Sequence, residues 1–374
     1  MMKKLTLSLI VMTGLMLMVI GVVSAATITV CASGCNFVNI QDAVNAASSG
    51  DTIEVAAGTY DENIVIGKSL TVRGANAGIA ATETRGSESI INAQGAEMAV
   101  LINGADTIAT FDGFTVDNYD TVGILAGAFA TKWGDDPIEV HILNNIVMPP
   151  TIEPPNNNNI QVGDGTTGTI IGNEVSGANL ESPDWSGSGI LVAGSSNVVV
   201  SENYVHNCEG GIQIVGYEYK DAPAVDNIIE NNIVKDSETG ISVQGDSIGT
   251  IIRYNDVLNN DIGIGSLAFD YPWQQATPSG REIYLNNIVG NKNYGVKSSV
   301  WFWKGTGEVL AEEVNATKNW WGHASGPSGL NGRVNPDGKE VGKGDAVSTN
   351  VDWDPWLPQL IGLTPNKPVP LGLR

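Results

Sequence analysis

The stretch NIIENNIVKDSETGISVQGD, residues 227–246, combines short β-branched runs with an Asn pair and a Gly-Ile step. Both features recur along the chain. An Asn-containing unit begins at Asn144, Asn173, Asn203, Asn231, Asn255, Asn286 and, in altered form, Asn319, at steps of 24 to 33 residues. A Gly followed by Ile or Val recurs at a similar spacing, at Gly123, Gly189, Gly211, Gly240, Gly263 and Gly295. Two markers in one order at one loose period indicate a single repeated structural unit.

The repeat unit predicts strands and turns. Each unit holds two or three short β-branched runs, and no segment between them has a helical 3.6-residue period. Short strands with tight turns at this period favour an all-β solenoid, a parallel β-helix, with coils stacked about 4.8 Å apart. We expect the recurring Asn to adopt the left-handed corner conformation and to form an amide ladder between coils. We expect the Gly before each Ile or Val to serve a similar corner.

The open ends of such a stack need caps, because unpaired strand edges promote aggregation. Residues 39–47, NIQDAVNAA, are the best helix candidate, with Ile40, Val44 and Ala47 facing inward. We expect this helix to cap the N-terminal end. Residues 319–358 lose the repeat and become rich in Trp, Gly and Pro, as in a loop-built C-terminal cap. The β-helix domain is therefore predicted over residues 26–358, with a linker or disordered tail at 359–374.

The N-terminus predicts export. Residues 1–25 carry Lys3 and Lys4, then an apolar run, then a small-residue cleavage site that ends at Ala25. This pattern is typical of a secretory signal peptide, and an uncleaved membrane anchor is the alternative. Cys31 and Cys35 are then expected to form a disulfide in an oxidising compartment. The localisation predicted is secreted or cell-surface.

The chain resembles the right-handed parallel β-helix proteins of the pectin-lyase-like superfamily, in particular exported repeat proteins grouped with carbohydrate-binding and sugar-hydrolase domains. The resemblance covers residues 27–358. It rests on IQDAVNAASSGDTIEVAAGTYDENIVI from Ile40, on FDGFTV from Phe111, on the two repeat markers, and on NWWG followed by GPSG. It implies a right-handed coil with an N-terminal helical cap and a loop-rich C-terminal cap. The superfamily contains polysaccharide lyases, hydrolases, esterases, epimerases and non-enzymatic surface proteins, so the resemblance leaves activity open.

The motifs of the superfamily's familiar enzymes are missing from this sequence. The central aspartate motif of pectin methylesterases and the N-T-D, D-D, H-G and R-I-K motifs of polygalacturonases do not occur. Arg253 and Arg281 are present, but neither lies in a recognisable pectate-lyase motif. We therefore expect a non-catalytic protein, and keep a polysaccharide lyase or hydrolase as the alternative.

Aromatic residues gather in the segments that follow the Gly-Ile strands. If these segments leave the coil at one equivalent corner, stacking brings them to the same side of the solenoid and forms a ridge or groove. We predict carbohydrate-binding side chains there, or else rings that only pack the loops: Trp133, Tyr217, Tyr219, Tyr271, Trp273, Trp301 and Trp303. Acids accompany them, and these are the catalytic candidates if the protein is an enzyme: Asp135, Asp136, Glu218, Asp221 and Asp270.

Flat rings beside carboxylates suit a neutral or cationic glycan. The formal charge of −22 disfavours nucleic acid and other polyanions, unless calcium bridges the charges. No metal or cofactor is otherwise expected, although calcium remains open, and membrane contact is expected only through an uncleaved signal segment. The functions expected of a non-catalytic protein are adhesion, envelope structure or glycan binding. Beside this reading and the enzyme, the third possibility is a purely architectural module whose aromatic loops bind no ligand.

Asn315-Ala316-Thr317 is the one N-glycosylation sequon.

Overall fold

A computed structural model describes residues 25–127, 138–149, 158–163, 165–180, 187–218, 221–302, 305, 307, 309, 311–329 and 342–362. The predicted signal peptide, residues 1–25, lies outside the described residues apart from Ala25, so it stays a prediction. Among the described residues, no helix has the length and apolar character needed to cross a membrane.

Three long sheets of parallel strands run along the solenoid, and each coil contributes one strand to each sheet in turn. The first sheet contains Thr27–Val30 (β1), Thr52–Val55 (β2), Thr71–Arg73 (β5), Ile108–Asp112 (β8), Glu139–Leu143 (β11), Thr167–Ile171 (β14), Val198–Ser201 (β17), Ile228–Glu230 (β21), Ile251–Arg253 (β25) and Glu282–Tyr284 (β29). The second contains Gly58–Asp61 (β3), Ser89–Asn92 (β6), Phe114–Asp117 (β9), Ile146–Val147 (β12), Glu174–Ser176 (β15), Tyr204–His206 (β18), Ile233–Lys235 (β22), Asp256–Leu258 (β26) and Asn287–Val289 (β30).

The third sheet carries the longest strands and continues into the C-terminal cap. It contains Ile64–Ile66 (β4), Met98–Ile102 (β7), Val122–Ala126 (β10), Asn158–Gly163 (β13), Ser188–Ala193 (β16), Gly210–Gly216 (β19), Thr239–Gly245 (β23), Ile262–Tyr271 (β27), Tyr294–Phe302 (β31), Gly344–Val347 (β34) and Pro327–Gly329 (β33). Shorter pairs are Gln274–Ala276 (β28) with β27, Ala224–Val225 (β20) with Ser247–Ile248 (β24), and Val314–Asn315 (β32) with Val351–Asp352 (β35). The all-β solenoid predicted from the repeat is confirmed.

The core consists of apolar columns inside the coil. The residues that follow the repeat glycines, together with Ile160 after Asn159, align strand over strand in the third sheet and are fully buried: Ile124, Ile160, Ile190, Ile212, Ile241, Ile264 and Val296. Similar columns from the other two sheets face them across the coil. Each coil therefore buries its apolar face only by stacking on its neighbours, as in other repeat proteins.

The predicted Asn ladder is present at the corner between the first and second sheets. In each step, the Nδ2 of one Asn donates a 2.9–3.1 Å hydrogen bond to the Oδ1 of the next, through Asn145, Asn173, Asn203, Asn232, Asn255, Asn286 and Asn319. The left-handed conformation falls on the residue before each ladder Asn, such as Asn231 (φ 57°) before Asn232 or Leu285 (φ 55°) before Asn286. The two tasks that we assigned to one Asn are therefore divided between consecutive residues.

The corner role predicted for the repeat glycines is wrong. Gly189, Gly211, Gly240 and Gly263 lie inside strands of the third sheet and have no positive φ. A Cβ on any of them would press on the carbonyl oxygen of the equivalent glycine one coil on, at 2.8 Å for Gly189 and 2.6 Å for Gly263. These positions require Gly because neighbouring backbones approach too closely for any side chain.

The N-terminal cap is the helix Ile40–Ala46 (α1), which lies within the predicted 39–47. Ile40, Val44 and Ala47 are buried against the first coils as expected. The Asn39 side chain does not cap the helix. Instead the Glu62 carboxylate accepts the N–H groups of Ile40 (2.7 Å) and Gln41 (2.9 Å), which satisfies two free donors of the first turn. Nearby, Cys31 and Cys35 are joined by a disulfide.

The C-terminal cap buries Trp321 and Trp353 against the last coils. A second ladder runs from Ser237 through Asn260 to Asn291, and Asp345 of the cap ends it. The Asp345 carboxylate accepts hydrogen bonds from Gly290 N (2.9 Å), Asn291 N (2.8 Å) and Asn291 Nδ2 (2.7 Å). Of the predicted tail, residues 359–362 are described. The backbone of Ile361 exchanges two hydrogen bonds with the side chain of Asn287 on β30. Residues 363–374 lie outside the described part.

Candidate functional site

The aromatic excursions that the structure describes leave the solenoid at one corner, after the third sheet and before the first. They follow β19, β27 and β31, which stack in this order with one strand, β23, between the first two. The segment with Trp133, Asp135 and Asp136 lies outside the described residues, as do Tyr219 and Trp303. Predictions for those five residues therefore stand untested. For the others, the expected single side is confirmed.

In one of the aromatic segments, residues 266–280, strand β27 continues outward to Tyr271 and the chain then turns back into β28. Pairing with β31 continues through Phe269 opposite Trp301 and Asp270 opposite Phe302. On its other side β27 pairs antiparallel with β28, so that Trp273 lies at the tip of a hairpin. The outward extension of β27 thus becomes the middle strand of a small projecting sheet.

The rings of this extension form a cluster that we call the aromatic ledge: Phe269, Tyr271, Trp273 and Trp301, with Tyr217 packed against its base. Phe269 stacks on Tyr271 with ring centroids 5.1 Å apart, and Tyr271 stacks on Trp273 at 5.5 Å. Trp301 meets Phe269 and Tyr271 edge-on, at 6.4 and 6.0 Å. Both geometries are favourable for aromatic pairs.

Exposure divides the ledge into an inner and an outer part. Phe269 and Tyr271 are buried, and Tyr217 and Trp301 are half-buried. Trp273, at the outer end of the stack, keeps 47% of its surface exposed. Packing of the loops accounts for the inner rings. For Trp273, which is about half exposed, carbohydrate binding stays a prediction.

Asp270 is fully buried, unlike the exposed carboxylate that a ligand-facing acid would require. Its Oδ2 accepts the backbone N–H of Gly307 at 2.6 Å, and its Oδ1 accepts the Gln275 side chain at 3.0 Å. The carboxylate thus links the hairpin to the segment after β31. Alternation along β27 explains the burial, because Asp270 points to the face opposite Phe269 and Tyr271.

The acids beside the ledge are Glu218, Asp221 and Asp246. The first two are exposed on the segment after β19. Sequence reasoning missed Asp246, which the pairing of β19 with β23 brings to the same segment, where its backbone N–H donates to Gly216 O at 3.1 Å. Partial burial raises the pKa of Asp246, and the charges of Glu218 and Asp221 raise it further. Glu218 and Asp221 are therefore close enough for their charges to act on Asp246.

A side-chain contact joins these acids to the ledge. Gln274, next to Trp273, donates from Nε2 to the carbonyl oxygen of Gly216 at 3.0 Å, immediately before Tyr217 and Glu218. The exposed ring and the acids therefore belong to one continuous surface. Within the described residues, no group of three His, Cys, Asp or Glu side chains is arranged to hold a metal ion.

Comparison with known proteins bears on this fold. The family model described as right handed beta helix region matches residues 98–301, more than half of the chain. The chain belongs to the right-handed β-helix family. Its expected right-handed coil and its resemblance to the pectin-lyase-like superfamily are confirmed at the level of fold.

Among solved structures, this β-helix protein is similar to a polygalacturonase from Erwinia carotovora ssp. carotovora, at 12% identity and a TM-score of 0.51, over 91% of this chain and 97% of that one. It is also similar to the pectate lyase Pel9A, at 13% identity and a TM-score of 0.49, over 89% and 78%. A comparison with curated proteins finds no match. The likeness to the polygalacturonase shows a shared fold and leaves activity undetermined.

A second polar cluster lies on the outer face of the second sheet of this β-helix protein, away from the ledge. His206 Nε2 lies 3.4 Å from Glu174 Oε1, and the His206 ring stacks on Tyr204 at 4.4 Å. Lys235 pairs with Asp236 at 3.1 Å and lies over the Tyr204 ring. The His206–Glu174 and Lys235–Tyr204 contacts join neighbouring coils and are the cross-strand pairs expected on a sheet surface, whereas the other two contacts lie within one coil.

Proposed function

We propose that this chain is an exported, non-catalytic β-helix protein of the cell surface or extracellular space that binds a polysaccharide through the aromatic ledge. The observation that carries the proposal is the exposed face of Trp273, held in place by the buried ring of Tyr271 behind it. A rigid, solvent-facing ring offers a platform for the apolar face of a sugar at little cost in conformational entropy.

The surrounding charge supports a neutral or cationic glycan. Glu218 and Asp221 are exposed beside the ledge, and the whole chain carries a formal charge of −22. Carboxylates accept hydrogen bonds from sugar hydroxyl or amino groups but repel uronates, sulfates and phosphates. We therefore propose no nucleic-acid partner, and we propose that any acidic glycan would bind only with calcium bridging the charges.

The experiment is an incubation of the purified protein with a panel of neutral, amino-sugar and acidic polysaccharides, with and without calcium, followed by pull-down and by analysis of released oligosaccharides. Binding without release supports the proposal. Released oligosaccharides would replace it with a polysaccharide lyase or hydrolase. Neither binding nor release would leave an architectural surface protein.

The export part of the proposal is tested separately. It rests on the sequence of residues 1–25, with Lys3 and Lys4 before the apolar run. Expression of the full chain in a secreting host should release protein whose N-terminal sequence starts at Ala26. Protein that stays in the cytoplasm with residues 1–25 intact would contradict export.

A further inference from the structure

Asn315 is the second residue of the short strand β32 in the C-terminal cap, which pairs in parallel with β35. The backbone around it is fixed by hydrogen bonds from Val314 N to Asn350 O at 2.9 Å and from Ala316 N to Asp352 O at 2.7 Å. Val314 and Ala316 are fully buried. Because side chains alternate along a strand, Asn315 points to solvent, and it is exposed.

The side chain of Asn315 is arranged with its oxygen occupied and its nitrogen open. Oδ1 accepts the hydroxyl of Thr317 at 3.0 Å and the backbone N–H of Thr317 at 3.2 Å. Among the described residues, Asn315 Nδ2 donates no hydrogen bond. The ladder asparagines differ on both counts, because they are fully buried and both ends of their amides are bonded to neighbouring coils.

We propose that Asn315 is an N-glycosylation site, the acceptor of an oligosaccharide carried on a lipid diphosphate. The proposal goes beyond glycan recognition by the ledge and rests on the proposed export, since the transfer takes place outside the cytoplasm. It stands on two independent facts. The tripeptide Asn315-Ala316-Thr317 meets the sequon requirement, and the folded chain leaves the acceptor nitrogen accessible and able to carry a bulky substituent.

The reaction balances without a redox partner. A bond forms between Asn315 Nδ2 and the anomeric carbon of the oligosaccharide, and the bond between that carbon and the diphosphate oxygen breaks. The lipid diphosphate leaves, and the amide proton passes to a base of the transferase. The attached glycan would project from the outer face of the C-terminal cap, where it would hinder end-to-end association of solenoids.

The test is expression of the full chain in a eukaryotic secretory host, followed by peptide mass spectrometry of the Asn315 segment before and after treatment with peptide N-glycosidase. We expect a glycan on Asn315. We expect its loss in Asn315→Gln and in Thr317→Val, which removes the hydroxyl but keeps the side-chain shape, and its retention in Thr317→Ser.

The same variants separate modification from local structure. If Thr317 serves only the turn that it forms with Asn315, Thr317→Val lowers the melting temperature and the wild-type peptide is unmodified. An unmodified peptide in protein recovered from the medium would overturn the proposal. If the protein fails to leave the cytoplasm, that result contradicts the export proposal. The chain from residue 26 is then expressed behind the host's own signal peptide, which brings Asn315 to the transferase for the same measurement.

Discussion

The indole of Trp273 stacks on the ring of Tyr271 with centroids 5.5 Å apart and planes inclined by 24°. Tyr271 is buried and Trp273 is the exposed end of the stack. A half-exposed ring that packs on a buried neighbour loses little freedom when a ligand covers its exposed part, which favours binding.

Replacement of Trp273 by Ala should therefore weaken polysaccharide binding by about fivefold, the equivalent of about 1 kcal/mol of lost stacking. Stability should change by less than about 1 kcal/mol, because half of the side chain is already in solvent. Affinity is measured by titration calorimetry with the polysaccharide that the pull-down selects. Ile108→Ala, an exposed position on the first sheet, is the control. Equal affinity in wild type and Trp273→Ala would rule out the ledge as the binding surface.

The Asp270 carboxylate should determine how firmly the Trp273 hairpin is held. In Asp270→Asn an amide N–H₂ replaces one oxygen and faces either Gly307 N or Gln275 Nε2, both of which are donors. A lost hydrogen bond to a buried charged acceptor costs about 2 kcal/mol. We expect faster amide hydrogen exchange in residues 268–276 and weaker polysaccharide binding. Asp261→Asn, an exposed carboxylate paired with Lys292, should leave both unchanged. Unaltered exchange in Asp270→Asn would show that the hairpin is held by ring packing alone.

The sequence was informative where one residue type repeats at one place in every coil. The Asn and Gly-Ile markers predicted the solenoid, and the aromatic segments were predicted to share a side. Two features of the candidate site could not be predicted from the sequence. Asp246 joins Glu218 and Asp221 only through the register between β19 and β23, which no local pattern specifies. The strand at 266–271 forms because β31 pairs with it, so tertiary contacts override a segment whose composition is that of a loop.

The repeat glycines provide a test of the backbone approach between coils. In Gly211→Ala the new methyl group meets the Gly240 carbonyl oxygen and lies 2.7 Å from Val234 Cγ1, both in the core. Overpacking of this kind should cost about 3 kcal/mol. In Gly265→Ala, in the same sheet, the nearest atom is 3.6 Å away, so the cost should stay below about 1 kcal/mol. Urea denaturation of the two variants measures the difference. Equal stabilities would contradict the account of these glycines.

The Asn ladder should contribute more to stability than the left-handed corners beside it. In Asn232→Ala, the Nδ2 group of Asn203 and the carbonyl oxygen of Val200 lose buried partners, at a cost of about 3 kcal/mol. Lys318→Gly keeps the positive φ (59°) of the exposed residue before the ladder residue Asn319 and should change stability by less than about 1 kcal/mol. Thermal unfolding of both variants gives the comparison. A loss in Lys318→Gly as large as that in Asn232→Ala would contradict the greater contribution of the ladder asparagines.

The acids beside the ledge should give a pH dependence with a defined sign. Burial and the charges of Glu218 and Asp221 raise the pKa of Asp246 in the folded protein, so the folded state binds this proton more tightly than the unfolded state. The ionised form of Asp246 thus opposes folding at neutral pH, and this effect fades as pH falls through the raised pKa. Asp246→Asn should be more stable than wild type at pH 7.

The stability gap between Asp246→Asn and wild type should then shrink as the pH is lowered toward the usual Asp range of about 4. Melting temperatures at pH 7, 6, 5 and 4 measure this gap, and the titration of carboxylates remote from Asp246 cancels because it is common to both proteins. Asp261→Asn removes an acid that faces Lys292, and it should show no gain at pH 7. A gap that is absent at pH 7, or that widens on acidification, would show that repulsion within this acidic group does not act on folding.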